Sequence, residues 1–257
     1  MDPIITNALM TFGAGFVGAT FSKAKGPGQA LDDAMSLIGF ERLHEVAEKK
    51  RADREENIRR YKDSIAQKVV LIPEKNLQEP QLSIVGPALE ASRFYIEEET
   101  LREMFANLIS LSMDDRWNQK IHTSYVDIIK QLSPYDAIVL QKIKEEQRYV
   151  GSPYPVMKVI IKSPTEGIKT IFPLVVIFKN EIGFQQNTTA IENLNRLGII
   201  KLSEQTWSAE DSDYDIYRND LVINSVLDAH PNMELQRISF SLSSFGSNFI
   251  EVCVSRK

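Results

Sequence analysis

Apolar residues recur at three- and four-residue steps in the middle of the chain, and this spacing predicts an amphipathic helix. Its apolar face consists of Leu101, Met104, Phe105, Leu108 and Ile109. We expect the charged residues of the same stretch to face water: Glu97, Glu98, Glu99, Arg102 and Glu103. The acidic residues precede the apolar face, as is favourable at a helix N-terminus.

A second helix follows, with Val126, Ile129 and Leu132 on one face. Thr123 or Ser124 is the expected N-terminal cap, and Pro134 is expected to end the helix. Prolines also precede the first helix, because Pro73, Pro80 and Pro87 each disfavour the helical conformation of the preceding residue. The stretch from residue 72 to these helices is therefore predicted to be extended.

Residues 41–68 carry dense charges of both signs and a sparse apolar stripe. The stripe consists of Leu43, Val46, Ile58, Tyr61, Ile65 and Val69. Interspersed Glu and Lys or Arg at helical spacing predict a long solvated helix. A second hypothesis stays open, in which the stripe pairs with another copy of the chain in a short coiled coil, giving a homo-oligomer.

Beyond Pro134 the pattern changes to alternating helices and Val- and Ile-rich strands. The sequence predicts a helix over 135–147, strands over 156–162 and 170–178, a helix capped by Asn187 or Thr188 and closed by Gly198, a strand over 199–202, a helix around 221–227, a strand over 235–242, and a last helix capped by Ser243. This order predicts an α+β fold that is mainly helical.

The segment from Ile4 to Phe21 has no charge over about 18 residues, which approaches the length of a membrane-spanning helix. Asn7, several threonines and several glycines dilute its hydrophobicity, so a buried or partner-facing helix is the favoured interpretation. Membrane contact through this segment stays open. Gly13, Gly15 and Gly18 match a dinucleotide-binding fingerprint, but the strands that the fingerprint requires are not predicted around them.

Several ordered pieces of the central stretch carry a family resemblance. IPEKN, EP and VGPALEAS come first, followed by EEETLREMFANLI and then by IHTSYVDIIKQLSP. Together they resemble the conserved block of the Abi-alpha (abortive infection alpha) family, a bacterial domain of unknown function. The resemblance implies a context, bacterial defence against phage, and it implies no reaction.

The C-terminal part resembles a winged-helix module in three phrases: LSPYDAIVLQKI, TTAIENLNRLGIIKLSE and RISFSLSSFGSNFIEVC. It departs from that module because two predicted strands stand where the second helix is expected. Between Thr188 and Gly198 the only full charges are Glu192 and Arg196. A groove-docking helix normally brings several Lys or Arg residues, so the sequence argues against nucleic acid as a partner.

The composition narrows the function classes further. The formal net charge of −5 argues against a broadly basic nucleic-acid binder. Cys253 is the single cysteine, which excludes an internal disulfide and fits a cytoplasmic protein. No positively charged leader precedes the apolar N-terminal run, so a cleavable secretory signal is not predicted.

The candidate chemistry centres on His122, which is followed by Thr123, Ser124 and Tyr125, with Asp127 nearby. A base, a hydroxyl and a carboxylate can form a catalytic relay, but proximity in sequence is not geometry. We favour a histidine that is hydrogen-bonded at a helix start, and we keep an undetected nuclease or nucleotide-cleaving toxin as an alternative.

Other polar positions have simpler interpretations. Asn107 lies beside the apolar face of the first helix and, if buried, needs hydrogen-bond partners. Asp211, Asp213 and Asp215 alternate as in a calcium loop, but the glycine and the glutamate of that motif are missing, so an acidic surface loop with Trp207 and Tyr214 is favoured. The sequence predicts no cofactor, no metal site and no catalytic residue.

The sequence thus predicts three segments: an N-terminal helical region over 1–70, a central helical block over 71–133, and a winged-helix-like α/β part over 134–257. The predicted function is a non-enzymatic phage-defence protein that acts through an unknown protein partner or on a membrane. A DNA-binding regulator is the first alternative. The predicted location is the cytoplasm, with membrane association left open.

Overall fold

The computed structural model describes residues 48–146, 151–163, 165, 167–178 and 184–254 of the chain. The apolar segment 4–21, the Gly13, Gly15 and Gly18 motif, and the first residues of the charged stretch lie outside the described residues. The described part is α+β and mainly helical, as predicted. It divides into two compact units: one combines the described residues up to Ala137 with those from Asn248 onward, and the other comprises Ile138–Ser247.

The first unit is helical. Its helices are α1 (Glu48–Val70), α2 (Leu82–Ser92), α3 (Glu99–Leu111), α4 (Tyr125–Lys130), the first turn of α5 (Pro134–Glu146) and the last residues of α9 (Ser244–Cys253). The chain therefore leaves this unit within α5 and returns to it within α9. The three segments predicted from the sequence divide the chain in sequence order, whereas the contacts group its residues into the two units.

Helix α3 lies at the centre of the first unit, since α1, α2 and α4 all pack against it. Its predicted apolar face is confirmed, because Phe105, Leu108 and Ile109 are completely buried. Arg102 was predicted to face water, and that prediction was wrong: its side chain is 3% exposed. The guanidinium turns back along the helix, where Nη1 donates to the Ile96 carbonyl oxygen at 2.7 Å.

The apolar stripe of α1 packs within the chain. Tyr61, Ile65 and Val69 are buried, and α1 contacts α3. A polar contact lies beside this apolar one, since the Glu103 carboxylate accepts hydrogen bonds from Lys68 Nζ at 2.6 Å and from the Ser64 hydroxyl at 2.7 Å. The exposed face of α1 keeps the charge pairs expected of a solvated helix, for example Arg60 with Glu56 at 2.9 Å.

The extended conformation predicted before Pro87 was wrong, because Pro87 lies inside α2. The proline removes one amide donor, but Ile84, Val85, Ala88 and Leu89 around it are buried. Burial of this apolar face outweighs the lost hydrogen bond, as tertiary packing often outweighs local preference.

The second unit contains a four-stranded antiparallel sheet. Its strands are β1 (Tyr154–Ser163), β2 (Gly167–Val175), β3 (Ile200–Ser203) and β4 (Met233–Leu242), in the spatial order β2, β1, β4, β3. The predicted strands are confirmed, with β2 ending at Val175, and Ser163 pairs with Gly167 where the hairpin of β1 and β2 closes. The unit also contains the helices α6 (Phe184–Arg196), α7 (Asp215–Arg218) and α8 (Leu221–Ala229), together with the part of α5 after Ala137 and the first turn of α9.

Capping was predicted correctly at one helix and wrongly at another. The Ser243 hydroxyl accepts from the Gly246 amide at 2.8 Å and donates to the Gly198 carbonyl oxygen at 2.6 Å, so Ser243 caps α9 as predicted. Asn187 and Thr188 do not cap α6, because they lie inside it. The Asn187 side chain instead donates to the carbonyl oxygen of Val176, just after β2, and the Thr188 side chain donates to that of Leu174, near the end of β2.

The hairpin of β1 and β2 lies between α5 and α6 in the chain, where a winged-helix module has its second helix. Gly198 does close α6 in the left-handed conformation, with φ of 74°. The winged-helix resemblance therefore stays a prediction. Among the described residues, no helix combines the length and the apolar character needed to cross a membrane.

We predict that Gly246→Ala strongly destabilises the second unit. A Cβ atom at this position would lie 1.9 Å from the Ile199 carbonyl oxygen, which is backbone and cannot turn aside. We expect the free energy of unfolding to fall by about 3 kcal/mol, as for severe overpacking. Urea denaturation followed by Trp207 fluorescence, with Trp117→Phe in both variants, measures it. The exposed neighbour provides the control, Ser244→Ala, and equal unfolding midpoints for both variants would contradict the prediction.

Candidate functional site

A groove of about 580 Å³ lies in the first unit between α2, the loop after it, and α4. Its lining combines apolar and polar side chains: Ser83, Pro87, Glu90, Ala91, Phe94, Tyr95, Thr123, Ser124, Val126, Asp127 and Lys130. Phe94 is unusual among them, because 72% of this large aromatic residue is exposed. The groove is therefore a concave surface with an apolar side chain at its edge.

The groove lining contains Thr123, Ser124 and Asp127 of the polar cluster noted in the sequence, and His122 contacts Ser124 from outside that lining. His122 Nδ1 lies 2.7 Å from the Ser124 hydroxyl and accepts from the Ser124 amide at 3.2 Å. Nδ1 therefore acts as the acceptor of the backbone hydrogen bond. Ser124 occupies the N-cap position of α4, but its hydroxyl makes no capping bond to the helix. The Ser124 hydroxyl contacts His122 Nδ1 instead.

Asp127 does not join the histidine and the serine. Its carboxylate lies 3.0 Å from Lys130 Nζ, on the next turn of α4. Its backbone carbonyl accepts from the Gln131 side chain at 3.0 Å. The described structure therefore places the three groups of the relay that the sequence left as an alternative in two separate contacts, His122 with Ser124 and Asp127 with Lys130.

Asn107 lies away from the groove, inside the first unit, and is 6% exposed. Its Nδ2 donates to the Cys253 carbonyl oxygen at 3.0 Å, across 146 positions of the sequence. The Cys253 thiol is itself buried, which raises its pKa and keeps it protonated. Asn107 thus holds the end of α9 against α3.

A second concave region, a cleft of about 670 Å³, lies within the second unit. The rings of Tyr154 and Phe240 stack there with centroids 4.8 Å apart. The Tyr154 hydroxyl donates to the Glu146 carboxylate, and burial together with this hydrogen bond raises the pKa of Tyr154. The sequence patterns did not indicate this cleft, apart from the contact surface expected near Trp207.

The acidic loop next to the cleft is held by arginines. Asp211 pairs with Arg218 at 2.8 Å and also with Arg237, whose guanidinium lies 4.6 Å from the centre of the Tyr214 ring. The hydrogen bonds from Arg218 and Arg237 lower the pKa of Asp211 to about 2. Among the described residues, no group of three or more His, Cys, Asp or Glu side chains is arranged to hold a metal ion.

Comparison with known proteins gives one match. A family model described as abortive infection alpha matches residues 53–253. No curated protein and no solved structure matches the chain. The match extends beyond the central block into both units.

We predict that Asn107→Ala destabilises the first unit by about 1–3 kcal/mol, because the buried Cys253 carbonyl oxygen loses its side-chain donor. Urea denaturation followed by circular dichroism measures the change. Gln119→Ala removes an exposed amide of the same unit and is the control. A variant with the stability of the parent chain would show that the hydrogen bond is not needed.

Proposed function

The chain belongs to the abortive infection alpha family, and from this premise we propose that it acts in bacterial defence against phage as a non-enzymatic protein that binds another protein. The proposed contact surface is the groove between α2 and α4. The proposed partner presents a short segment with an apolar side chain that packs against Phe94.

The exposure of Phe94 is the observation that carries the proposal. When a partner covers a phenylalanine that is 72% exposed, the burial stabilises the complex. Aromatic residues are also enriched at protein interfaces. Pro87, Ala91 and Val126 extend this apolar surface into the groove. Scattered exposed apolar residues are common, but this one borders a concave surface.

The wall formed by α2 also supports a polar contact with a partner. Pro87 has no amide hydrogen, so the Ser83 carbonyl lacks the donor that a helix normally supplies four residues later. Both residues line the groove. A partner segment with a hydrogen-bond donor at this point would satisfy that oxygen.

The contact of Asp127 gives no support to a catalytic relay at this surface. A catalytic serine and histidine need a third group that orients the histidine. Asp127 is the acidic candidate from the sequence, and it pairs with Lys130. The nuclease or toxin hypothesis therefore gains no support from the groove.

A membrane route is the second candidate, and the uncharged segment 4–21 favours it. In this route the segment inserts into the bilayer during infection. The segment lies outside the described residues, so only its sequence supports the route.

We expect Phe94→Ala to abolish protection against phage while the fold is retained. Removing an aromatic anchor from an interface weakens binding by about tenfold or more. Plaque counts on cells that produce the variant measure protection, and thermal unfolding verifies the fold. Leu221→Ala is the control, because Leu221 is 83% exposed and lies outside the groove.

Full protection by the Phe94 variant would reject the groove as the contact surface. A vesicle assay separates the membrane route: if it operates, deleting residues 1–22 abolishes sedimentation of the protein with phospholipid vesicles, whereas Phe94→Ala leaves sedimentation unchanged. If the deletion loses both vesicle binding and protection while Phe94→Ala keeps both, the result supports the membrane route and rejects the groove.

A further inference from the structure

The cleft of the second unit has an apolar floor built from residues that are far apart in the sequence. The partly exposed side chains of Tyr154, Pro155 and Ile216 provide its accessible apolar surface, and the buried ring of Phe240 stacks against Tyr154. A volume of about 670 Å³ is within the range of ligand-binding clefts and holds a few side chains of a peptide.

The rim of the cleft is acidic. Glu146, Glu210 and Asp213 belong to its lining, and no Lys, Arg or His does so among the described residues. Glu146 accepts from the Tyr154 hydroxyl and Asp213 from the Ser208 hydroxyl, so both carboxylates are fixed in position. The Glu210 side chain is exposed and has no hydrogen-bond or ion-pair partner in the part of the chain that the structure describes.

An aromatic side chain completes the rim. Trp207 lines the cleft, and 51% of its surface is exposed. The face of an indole ring attracts Arg and Lys cations, and a carboxylate nearby strengthens the attraction. Trp207 and Glu210 both line the cleft, where they offer an aromatic face and a carboxylate to a cationic side chain.

We propose that this cleft binds a polypeptide segment in which apolar side chains alternate with Lys or Arg. The apolar side chains pack on Tyr154, Pro155 and Ile216, while the cationic ones contact Trp207 and the carboxylates of the rim. The charge of the rim repels phosphate groups, which disfavours nucleic acid as the occupant. The proposal concerns a different unit from the groove at Phe94 and does not depend on it.

Intrinsic fluorescence tests the proposal directly. The chain has two tryptophans, so Trp117→Phe leaves Trp207 as the single reporter. The probe is a capped hexapeptide of alternating leucine and arginine. We expect saturable quenching of Trp207 that weakens when salt is raised from about 0.1 M to about 1 M, because screening then shortens from about 10 Å to about 3 Å. The matched peptide of leucine and glutamate should give no saturable change.

Charge reversal at the rim locates the binding. We expect Glu210→Lys to weaken binding by about tenfold and Glu210→Gln to weaken it by a smaller factor, since an exposed ion pair contributes modestly. Glu192→Lys makes the same change in net charge at an exposed position of the second unit outside the cleft, and it should bind as the parent does. Circular dichroism verifies that each variant is folded.

Three outcomes would overturn the proposal. The first is the absence of saturable quenching by the arginine peptide, and the second is equal binding of the glutamate peptide. The third is equal weakening by Glu192→Lys and Glu210→Lys, which would indicate only a general charge effect. If arginine amide binds as tightly as the hexapeptide, the cleft takes a small cation and the polypeptide assignment is wrong.

Discussion

The hydrogen bond between Asn107 and the Cys253 carbonyl oxygen joins the middle of the chain to its C-terminal helix. Two further contacts of the first unit reinforce it. Phe249 packs edge-on against Tyr125 with ring centroids 5.2 Å apart, and Glu251 pairs with Lys120. The last residues of α9 therefore complete a core whose other helical residues all precede residue 138. This long-range closure constrains folding, because the first unit is complete only when the end of the chain is present.

Much of the local structure was predictable because periodicity reports burial directly. The apolar steps of α3, the Val- and Ile-rich strands and the Ser243 cap all follow from short-range rules. The errors share a cause. Pro87 is helical and Arg102 is buried because packing by distant segments outweighs local preference, and no window of sequence contains those segments.

The candidate sites differ in how far the sequence predicts them. The groove contains Ser124 and Asp127, which were noted because they lie near His122 in the sequence. The cleft combines residues from α5, β1, β4 and the loop at Trp207, which only the sheet brings together. Trp207 and the alternating aspartates were the sequence features that pointed to this cleft. No sequence feature pointed to Tyr154 and Phe240, because each fits the pattern of an ordinary strand residue.

Membership of the abortive infection alpha family places the chain in a biological context, and the two concave surfaces suggest how it takes part. The groove offers an exposed phenylalanine, and the cleft offers an aromatic floor with an acidic rim. Each surface is built within a single unit. Both proposals therefore assign binding to a surface whose shape the helices or the sheet of one unit maintain.

Hydrogen exchange on Phe249→Ala in the full chain tests most directly whether the end of α9 completes the first unit. The substitution removes a completely buried ring and costs about 3–5 kcal/mol. The account predicts that amides of α3 and α4 exchange at least about a hundredfold faster, while those of β1 and β4 change little. Unchanged exchange in α3, or faster exchange confined to the sheet, would contradict the account.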